Sequence, residues 1–265
     1  MQLDFWQILF LAVVQGLTEF LPISSSGHLV VISAMLSPGD PQQLDIADLS
    51  VVLHMGTLLS ILIYYWKRIG RLLGDDRRVI RCLIIGTLPA VIVGFTIEST
   101  CKHLIEFPLL AGIMLPITGL ILIWGGRRLD ATGEYVNLSN RDALLIGLSQ
   151  AFAILPGVSR SGTTISTGLR LGLSPRSAAT FSFLLAIPAV AGAGLLKAIS
   201  LATRAEMSTP IPHLLAGGLV SFVVGLLALH WLLRWLERGR FQLFAWWCIP
   251  LGIVVTVWEV WQLSQ

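Results

Sequence analysis

Long apolar stretches with very few charged residues dominate this chain of 265 residues. Only 12% of the residues are charged and 55% are hydrophobic, whereas about a quarter of the residues in a soluble domain are charged. Several of the stretches approach the roughly 20 apolar residues that a helix needs to cross a bilayer. The sequence therefore predicts an all-α polytopic membrane protein, with one integral membrane domain over residues 1–265. The modest net charge of +3 gives no reason to expect a nucleic-acid partner.

The apolar stretches differ in length, and the short ones are informative. Ten segments can be delimited, at residues 3–21, 26–36, 50–66, 82–97, 108–124, 143–155, 162–173, 178–199, 213–233 and 243–263. Three of them are too short to span, and the first ends in a polar stretch. Short apolar segments interrupted by Gly or Pro, at matching positions in two halves, are typical of discontinuous helices at a binding site. We predict two re-entrant helical hairpins, 3–21 with 26–36 and 143–155 with 162–173, beside six transmembrane helices.

The distribution of charge orients these segments. The loop around residues 37–49 carries three Asp and no base, whereas residues 67–81 carry six Lys and Arg. Because basic loops stay in the cytoplasm, the first hairpin is predicted to open outward and the second inward. The halves, approximately residues 1–125 and 140–265, are then inverted-topology repeats. Two full crossings in each hairpin would fit the charges as well, and segment length is what favours re-entry.

One polar stretch, Gln15–His28, stands out from this apolar background. It contains Glu19, three consecutive serines and His28, and Pro22 and Gly27 break any helix that runs through it. Three of its elements recur 135 residues later: Gln15 as Gln150, Ser24-x-Ser26-Gly27 as Ser159-x-Ser161-Gly162, and His28 as Thr163 with Thr164. An ionisable group in the hydrocarbon zone is costly and usually faces a cavity or a partner. We therefore expect both copies to meet and to form one anion-processing site.

The acid of the first copy is Glu19, and the cation of the second is Arg160. A guanidinium suits bidentate binding of phosphate, and the N-termini of broken helices add unpaired N–H groups and a positive dipole end. Further substrate-binding donors are predicted at Ser24, Ser26, Gly27, Ser159, Ser161, Gly162 and Thr164. The alternatives are that Glu19 and Arg160 form a structural ion pair and that the serines are helix caps.

Two further residues of the first copy have candidate chemical roles. His28, close to serine and glutamate, is a candidate general acid, general base or nucleophile. Gln15 lies four residues before Glu19, so both side chains share one helix face and could hold a divalent cation. A histidine on a later segment, His54, either lines the same cavity or is a core residue.

The motifs resemble those of a known family. Gln15–His28 and Pro156–Thr164 are similar to the two signature motifs of the BacA-type undecaprenyl pyrophosphate phosphatases, and Leu53–Thr57 and Phe181–Pro188 also resemble that family. The resemblance implies hydrolysis of undecaprenyl diphosphate to undecaprenyl phosphate, which recycles the lipid carrier of cell-wall synthesis. It also implies tolerance of bacitracin, because bacitracin sequesters the substrate. The resemblance further implies a homodimer in the bacterial inner membrane, a divalent-cation requirement and a site reached from the periplasm.

Two positions depart from the family pattern. Gln15 stands where many members have a second Glu, which weakens the case for a metal site with two carboxylates. Ser50 stands where an acidic residue is expected just before Val51. The outer mouth of the site is therefore less acidic than in those members.

These residues support a hypothesis of phosphoryl transfer. Arg160 and the hydroxyl residues would hold the diphosphate, with Mg²⁺ or Ca²⁺ shared with Glu19. Ser25 is the predicted nucleophile, activated by Glu19 or His28. Direct attack by His28 and direct attack by water remain open as the second and third possibilities.

Two other functions compete with this hypothesis. Inverted repeats with opposed broken helices are also transporter architecture, so the chain could be a transporter or flippase of an anionic polyprenyl lipid. The other class of lipid phosphatases has similar Ser-Gly-His and Ser-Arg elements. Its upstream Lys-x6-Arg-Pro element and the His after its Ser-Arg motif are absent from this sequence, so this class is discounted.

Overall fold

The computed structural model describes residues 3–36, 46–101, 107–202 and 209–264, and these residues are mostly helical. The helices are α1 (Phe5–Phe20), α2 (Ser25–Leu36), α3 (Ile46–Tyr64), α4 (Trp66–Leu72), α5 (Arg77–Thr100), α6 (Pro108–Gly125), α7 (Asn140–Phe152), α8 (Arg160–Arg170), α9 (Pro175–Ala202), α10 (Ile211–Glu237) and α11 (Ala245–Leu263). Short 3-10 turns precede α7 and α11. In this part of the chain, β pairing is limited to one isolated bridge between Gly133 and Leu173. The predicted all-α class is confirmed.

Five of the described helices, α5, α6, α9, α10 and α11, are long and apolar enough to cross a membrane. A sixth span results if α3 and α4 are counted together, although they are bent by 74° at the break between them. This number agrees with the six transmembrane helices predicted. The apolar stretches therefore identified the spans correctly.

The basic segment at residues 67–81 differs from the prediction of a loop. It consists of α4 and the first turn of α5, joined by a short turn at residues 73–76. Lys and Arg have high helix propensity, so basic character alone does not end a helix. The acidic loop predicted around residues 37–49 lies largely outside the described residues.

Both predicted hairpins are present as pairs of short helices. The first pair, α1 and α2, has 16 and 12 residues, and the second pair, α7 and α8, has 13 and 11. At about 1.5 Å per residue, helices of 11–13 residues are roughly 16–20 Å long, which is less than the roughly 30 Å hydrocarbon core. Their re-entrant placement in the bilayer stays a prediction.

The helix contacts are reciprocal between the two halves. Helix α1 packs along α10, α7 packs along α5, and α6 pairs with α11. A Cβ on Gly16 of α1 would lie 2.8 Å from Cβ of Val224 on α10, and Gly147 of α7 lies against the backbone of Gly86 on α5. Small residues allow such close helix approach in membranes. These pairings are the ones expected if α1 corresponds to α7 and α5 to α10, although the inverted repeat itself stays a prediction.

The main apolar core lies around the second hairpin. Phe20, Phe181 and Phe183 are fully buried there, together with Ile165 and Leu229. In contrast, the outer faces of the spans expose large apolar side chains to the surroundings, as expected for surfaces that contact lipid. The short helices pack against several of the spans, and the polar motifs lie at the ends of these short helices.

Candidate active site

The first helix break lies between α1 and α2. Helix α1 ends at Phe20, Leu21 is extended, and Ser24 has a φ of 70° before α2 begins at Ser25. This left-handed conformation is uncommon for a residue other than Gly, and such strain is concentrated at functional sites. The Ser24 hydroxyl accepts the Gly27 N–H at 3.2 Å. Ser24 therefore caps α2, which was the alternative role considered for these serines.

The second break, between α7 and α8, repeats this arrangement. Ser159 is the N-cap of α8, and its hydroxyl accepts the Gly162 N–H at 3.1 Å. The Ser159 and Ser161 hydroxyl oxygens are 3.3 Å apart, and those of Ser24 and Ser26 are 3.4 Å apart. The sequence echo thus corresponds to two similar helix starts.

The two breaks are in direct contact. A Cβ on Gly27 would lie 2.8 Å from Cα of Gly157, which itself has a φ of +87°. The Ser161 hydroxyl donates to the Leu21 carbonyl at 3.4 Å. The N-termini of α2 and α8 therefore converge, and both bring the positive ends of their helix dipoles to one place.

An ion pair joins the two motifs at this junction. Nη2 of Arg160 lies 2.6 Å from Oε1 of Glu19, and the side chains are 16% and 7% exposed, respectively. Oε2 of Glu19 accepts from the Ser25 hydroxyl at 2.8 Å and from the Gln15 amide at 3.0 Å. The structure therefore brings together four of the predicted site residues. A carboxylate that accepts from a serine hydroxyl at this distance is a suitable base for that serine.

His54 is a further partner of Glu19, from outside the two motifs. It lies on α3, and its Nε2 is 3.7 Å from Oε2 of Glu19. Its Nδ1 lies 2.7 Å from the Ser50 carbonyl and 3.2 Å from the Ser50 hydroxyl. Because the carbonyl can only accept, Nδ1 carries a proton and Nε2 faces the carboxylate. Sequence reasoning left its role open between cavity and core, and the contact places it at the cavity.

His28 has different partners from those predicted. Its Nδ1 donates to the Ser24 carbonyl at 2.7 Å, and its Nε2 accepts from the Trp247 indole N–H at 2.9 Å. The two rings are nearly parallel, with an angle of 7° between their planes and centroids 6.2 Å apart. Both ring nitrogens are thus engaged with the start of α2 and with α11. No sequence signal connected Trp247 to His28.

The hydroxyl of Thr164, predicted to bind substrate, also has other partners. It donates to the Arg160 carbonyl at 2.7 Å and lies 2.6 Å from the Ser182 hydroxyl of α9. Similarly, Thr118 of α6 accepts from the Ser159 N–H at 3.0 Å and donates to the Gly157 carbonyl at 2.8 Å. These contacts hold the second break between α6 and α9.

Several buried polar atoms near these motifs have no hydrogen-bond partner among the described residues. They are Nη1 of Arg160, Oε1 of Gln15, Oγ1 of Thr163 and both amide atoms of Gln150. An unpaired buried polar group costs roughly 1–3 kcal/mol, so such atoms call for an additional ligand or water. The free Nη1 is a donor suited to an anion, and the free Gln15 oxygen is an acceptor suited to a cation.

The same residues limit what metal could be held. Within the described residues there is no group of three or more His, Cys, Asp or Glu that could form a metal site. Glu19 and Gln15 offer one carboxylate and one amide oxygen. This donor set fits a Mg²⁺-like cation only if a bound phosphate and water supply the remaining ligands, as is usual for Mg²⁺.

Comparison with known proteins places the chain among similar sequences. Residues 8–254 match the family described as "Bacitracin resistance protein BacA". The chain is 48% identical over 252 residues to an undecaprenyl-diphosphatase of Rhodopirellula baltica, covering 95% of this chain and 96% of that protein. It is 39% identical over 260 residues to an undecaprenyl-diphosphatase of Pelotomaculum thermopropionicum, covering 95% and 96%. A third, from Methanosphaera stadtmanae, is 34% identical over 281 residues, covering 97% and 99%.

Proposed function

Because the chain belongs to the BacA family of bacitracin resistance proteins, we propose that it hydrolyses undecaprenyl diphosphate to undecaprenyl phosphate and inorganic phosphate. The relatives named undecaprenyl-diphosphatase cover nearly its whole length. The observation that carries the proposal is the junction of two helix N-termini at which Glu19 contacts both Ser25 and Arg160. Hydrolysis would return the lipid carrier to cell-wall synthesis and counteract bacitracin, which sequesters the diphosphate form.

The diphosphate is bound at the junction of α2 and α8. Arg160 has one free buried nitrogen, Nη1, for a phosphate oxygen. The N–H groups of Gly27 and Gly162, which were predicted to bind substrate, are instead capped by the Ser24 and Ser159 hydroxyls. The positive ends of the two helix dipoles still favour an anion at this junction. The polyprenyl tail lies along apolar helix faces that are open to lipid. Catalysis in such a site consists mainly of positioning and of stabilising negative charge.

Substrate binding also prepares the base. Without substrate, Glu19 is neutralised by Arg160 at 2.6 Å, which lowers its tendency to take a proton. The diphosphate competes for the guanidinium, and the Glu19 carboxylate becomes a stronger acceptor for the Ser25 proton. With both ring nitrogens protonated, His54, whose Nε2 is 3.7 Å from Glu19, would keep the carboxylate oriented toward Ser25.

Ser25 is the nucleophile in this mechanism. Its oxygen attacks the terminal phosphorus while its proton passes to Glu19, and the bond from that phosphorus to the bridging oxygen breaks. Undecaprenyl phosphate leaves with the bridging oxygen, and a phosphoserine remains. Glu19 passes the proton from Ser25 to the departing undecaprenyl phosphate and is a carboxylate again. It then takes a proton from water, whose oxygen attacks the phosphorus of the phosphoserine, and returns that proton to the Ser25 oxygen as inorganic phosphate is released. Ser25 is favoured over His28 because it contacts Glu19 at 2.8 Å, whereas both ring nitrogens of His28 are engaged elsewhere.

A divalent cation, Mg²⁺ or Ca²⁺, fits the charge of the complex. Glu19 and Arg160 cancel each other, and each helix N-terminus contributes only about half a positive charge, so a diphosphate with several negative charges is not fully neutralised. Glu19 and Oε1 of Gln15 would hold the cation together with phosphate oxygens. When bound, such an ion neutralises charge on the phosphates. Chelation of divalent ions is expected to reduce phosphate release.

The protein is a multi-pass membrane protein, and its finer placement is part of the proposal. We place it in the bacterial inner membrane with the site open to the periplasm. The support is the positive-inside rule, which assigns the basic ends of α3–α4 and α10 to the cytoplasm. A homodimer is the proposed assembly, as the resemblance to the family implies.

The test is phosphate release by the purified chain from undecaprenyl diphosphate. Glu19→Gln and Arg160→Ala should each reduce the rate at least roughly 100-fold, as expected for loss of a base or of a charge clamp. Arg170→Gln is the matched control, because Arg170 lies on the same helix but stacks on Trp124, with its guanidinium carbon 5.1 Å from the ring centroid. Wild-type rates in the Glu19 and Arg160 variants would refute the site.

A flippase remains the second candidate, because the two broken hairpins meet in the way that transporter repeats do. Reconstitution into sealed vesicles separates the two functions. Phosphate release with no dependence on lipid transfer supports the hydrolase. Transfer of the lipid without any phosphate release would select the flippase.

A further inference from the structure

A groove of about 510 Å³ lies on the surface of the protein, away from the Glu19–Arg160 site. Leu72 and Leu73, at the end of α4, contribute to one part of it, and Ile80 and Ile84 of α5 to another. Ile84 is 57% exposed, so the groove opens outward to the surroundings of the protein. An apolar groove on a membrane-spanning helix is open to the acyl chains of lipids.

Two arginines lie at the polar end of this groove. Arg77 and Arg81 both line it and are one helical turn apart on α5. Residues four apart on a helix have Cβ atoms about 6 Å apart, so both guanidinium groups can reach the same phosphate. Nε of Arg77 donates to the Leu73 carbonyl at 3.1 Å, which anchors its guanidinium beside the groove. Within the described ranges, neither arginine forms an ion pair within 4.0 Å.

The surroundings of the groove are those of the membrane interface. Helix α4 is bent by 74° from α3 and begins at Trp66, over whose ring Nζ of Lys67 lies at 5.5 Å from the centroid. Trp and basic residues are enriched at the headgroup level. Residues 66–81 contain six Lys and Arg but only two acids, Asp75 and Asp76. The net charge of the segment is therefore positive and suited to an anionic headgroup.

We propose that this groove binds one anionic phospholipid of the bilayer. Its phosphate is held between Arg77 and Arg81, and one acyl chain follows Ile80 and Ile84 into the hydrocarbon core. Basic pockets at the cytoplasmic side of membrane helices bind anionic headgroups in this way. The lipid would occupy the angle between α4 and α5 and hold the bent end of the α3–α4 span against α5. This site is separate from the one that hydrolyses the diphosphate.

The test is native mass spectrometry of the full chain released from bilayer nanodiscs that contain equal amounts of phosphatidylglycerol and phosphatidylcholine. The wild-type chain should retain one phosphatidylglycerol in preference to phosphatidylcholine. Arg77→Gln with Arg81→Gln should weaken this retention about 30-fold or more, because each change removes a charge-assisted hydrogen bond to the lipid phosphate. The matched control, Arg68→Gln with Arg78→Gln, removes the same charge from residues that do not line the groove and should weaken retention by less than about threefold.

A third variant tests the apolar part of the site without changing charge. Ile84→Trp fills the path of the acyl chain and should also reduce retention of phosphatidylglycerol. Thermal unfolding in detergent shows whether each variant is folded. Equal losses in both double variants, or equal retention of the two lipids by the wild-type chain, would overturn the proposal. So would conversion of a dimer to a monomer in the Arg77/Arg81 variant with no lipid lost, since the groove would then be a contact between two copies of the chain.

Discussion

Replacing Glu19 with Gln separates the two roles that the structure suggests for this residue. The change preserves shape but removes the charge that pairs with Arg160 at 2.6 Å and the base that faces Ser25 at 2.8 Å. Loss of a general base typically costs 10²–10⁴-fold in rate, so kcat should fall by about that factor. Arg160, released from its ion pair, becomes fully available to the diphosphate. KM should therefore stay within about threefold of the wild-type value or decrease.

The stability of this variant should decrease as well. Removing one partner of a buried ion pair costs up to about 3–5 kcal/mol, but the Arg160 side chain is 16% exposed and can be hydrated in the cavity. We expect about 1–2 kcal/mol, less than the fully buried figure because solvent screens the freed charge. Thermal unfolding in detergent measures this effect independently of activity.

Steady-state kinetics of phosphate release are the assay, with Glu259→Gln as the matched control. Glu259 is another buried glutamate in a membrane span, on α11, and it should keep wild-type kinetics when neutralised. A Glu19→Gln enzyme with unchanged kcat and a KM raised tenfold or more would refute the reasoning, since Glu19 would then act in binding only.

Substitutions at four further residues test separate parts of the site. Ser25→Ala should reduce phosphate release roughly 10³-fold or more, as loss of a nucleophile does. His28→Ala should mainly cost about 1 kcal/mol of stability, because its contact with Trp247 is lost. If His28→Ala reduced the rate of phosphate release more than Ser25→Ala, His28 would be the nucleophile. Gly157→Ala should destabilise the protein by at least about 1 kcal/mol in thermal unfolding, because a residue with a Cβ is strained at φ +87° and the Cβ meets the Ala111 backbone. An unchanged midpoint of thermal unfolding would contradict this packing. His54→Gln keeps a polar group near Glu19 and should retain most of kcat, whereas His54→Leu should lose about tenfold; equal kcat values in both variants would exclude a positioning role.

Local sequence was sufficient to identify the parts of the site that lie at the helix breaks. Ser24 and Ser159 precede Gly-containing helix starts, and both prove to be N-caps. The pairing of Glu19 with Arg160 was predictable because two isolated charges in an apolar chain have few other partners. The roles of Thr164 and Thr118 were not predictable, since a hydroxyl beside an anion site can equally bond to a neighbouring helix.

His54 and Trp247 illustrate why the remaining contacts escaped prediction. His54 reaches Glu19 from α3, 35 positions along the chain, and Trp247 reaches His28 from α11, 219 positions away. Each residue has an ordinary explanation in its own segment, as a core histidine and as an interfacial tryptophan. Only the packing of α3 and α11 around the first hairpin distinguishes these explanations from the observed contacts.

The sequence by itself determined the class of protein, its spans and the short paired helices with their motifs, because these depend on composition and on neighbours within a few residues. The tertiary structure decided which polar groups face one another: that α2 and α8 start at the same place, that Ser25 rather than His28 contacts Glu19, and that the basic segment after α3 bends by 74° to form a groove. The physical reason is that side-chain partners are set by distances between helices. Hydrophobic patterning does not specify those distances, because in lipid it shows only that a segment is buried in the membrane.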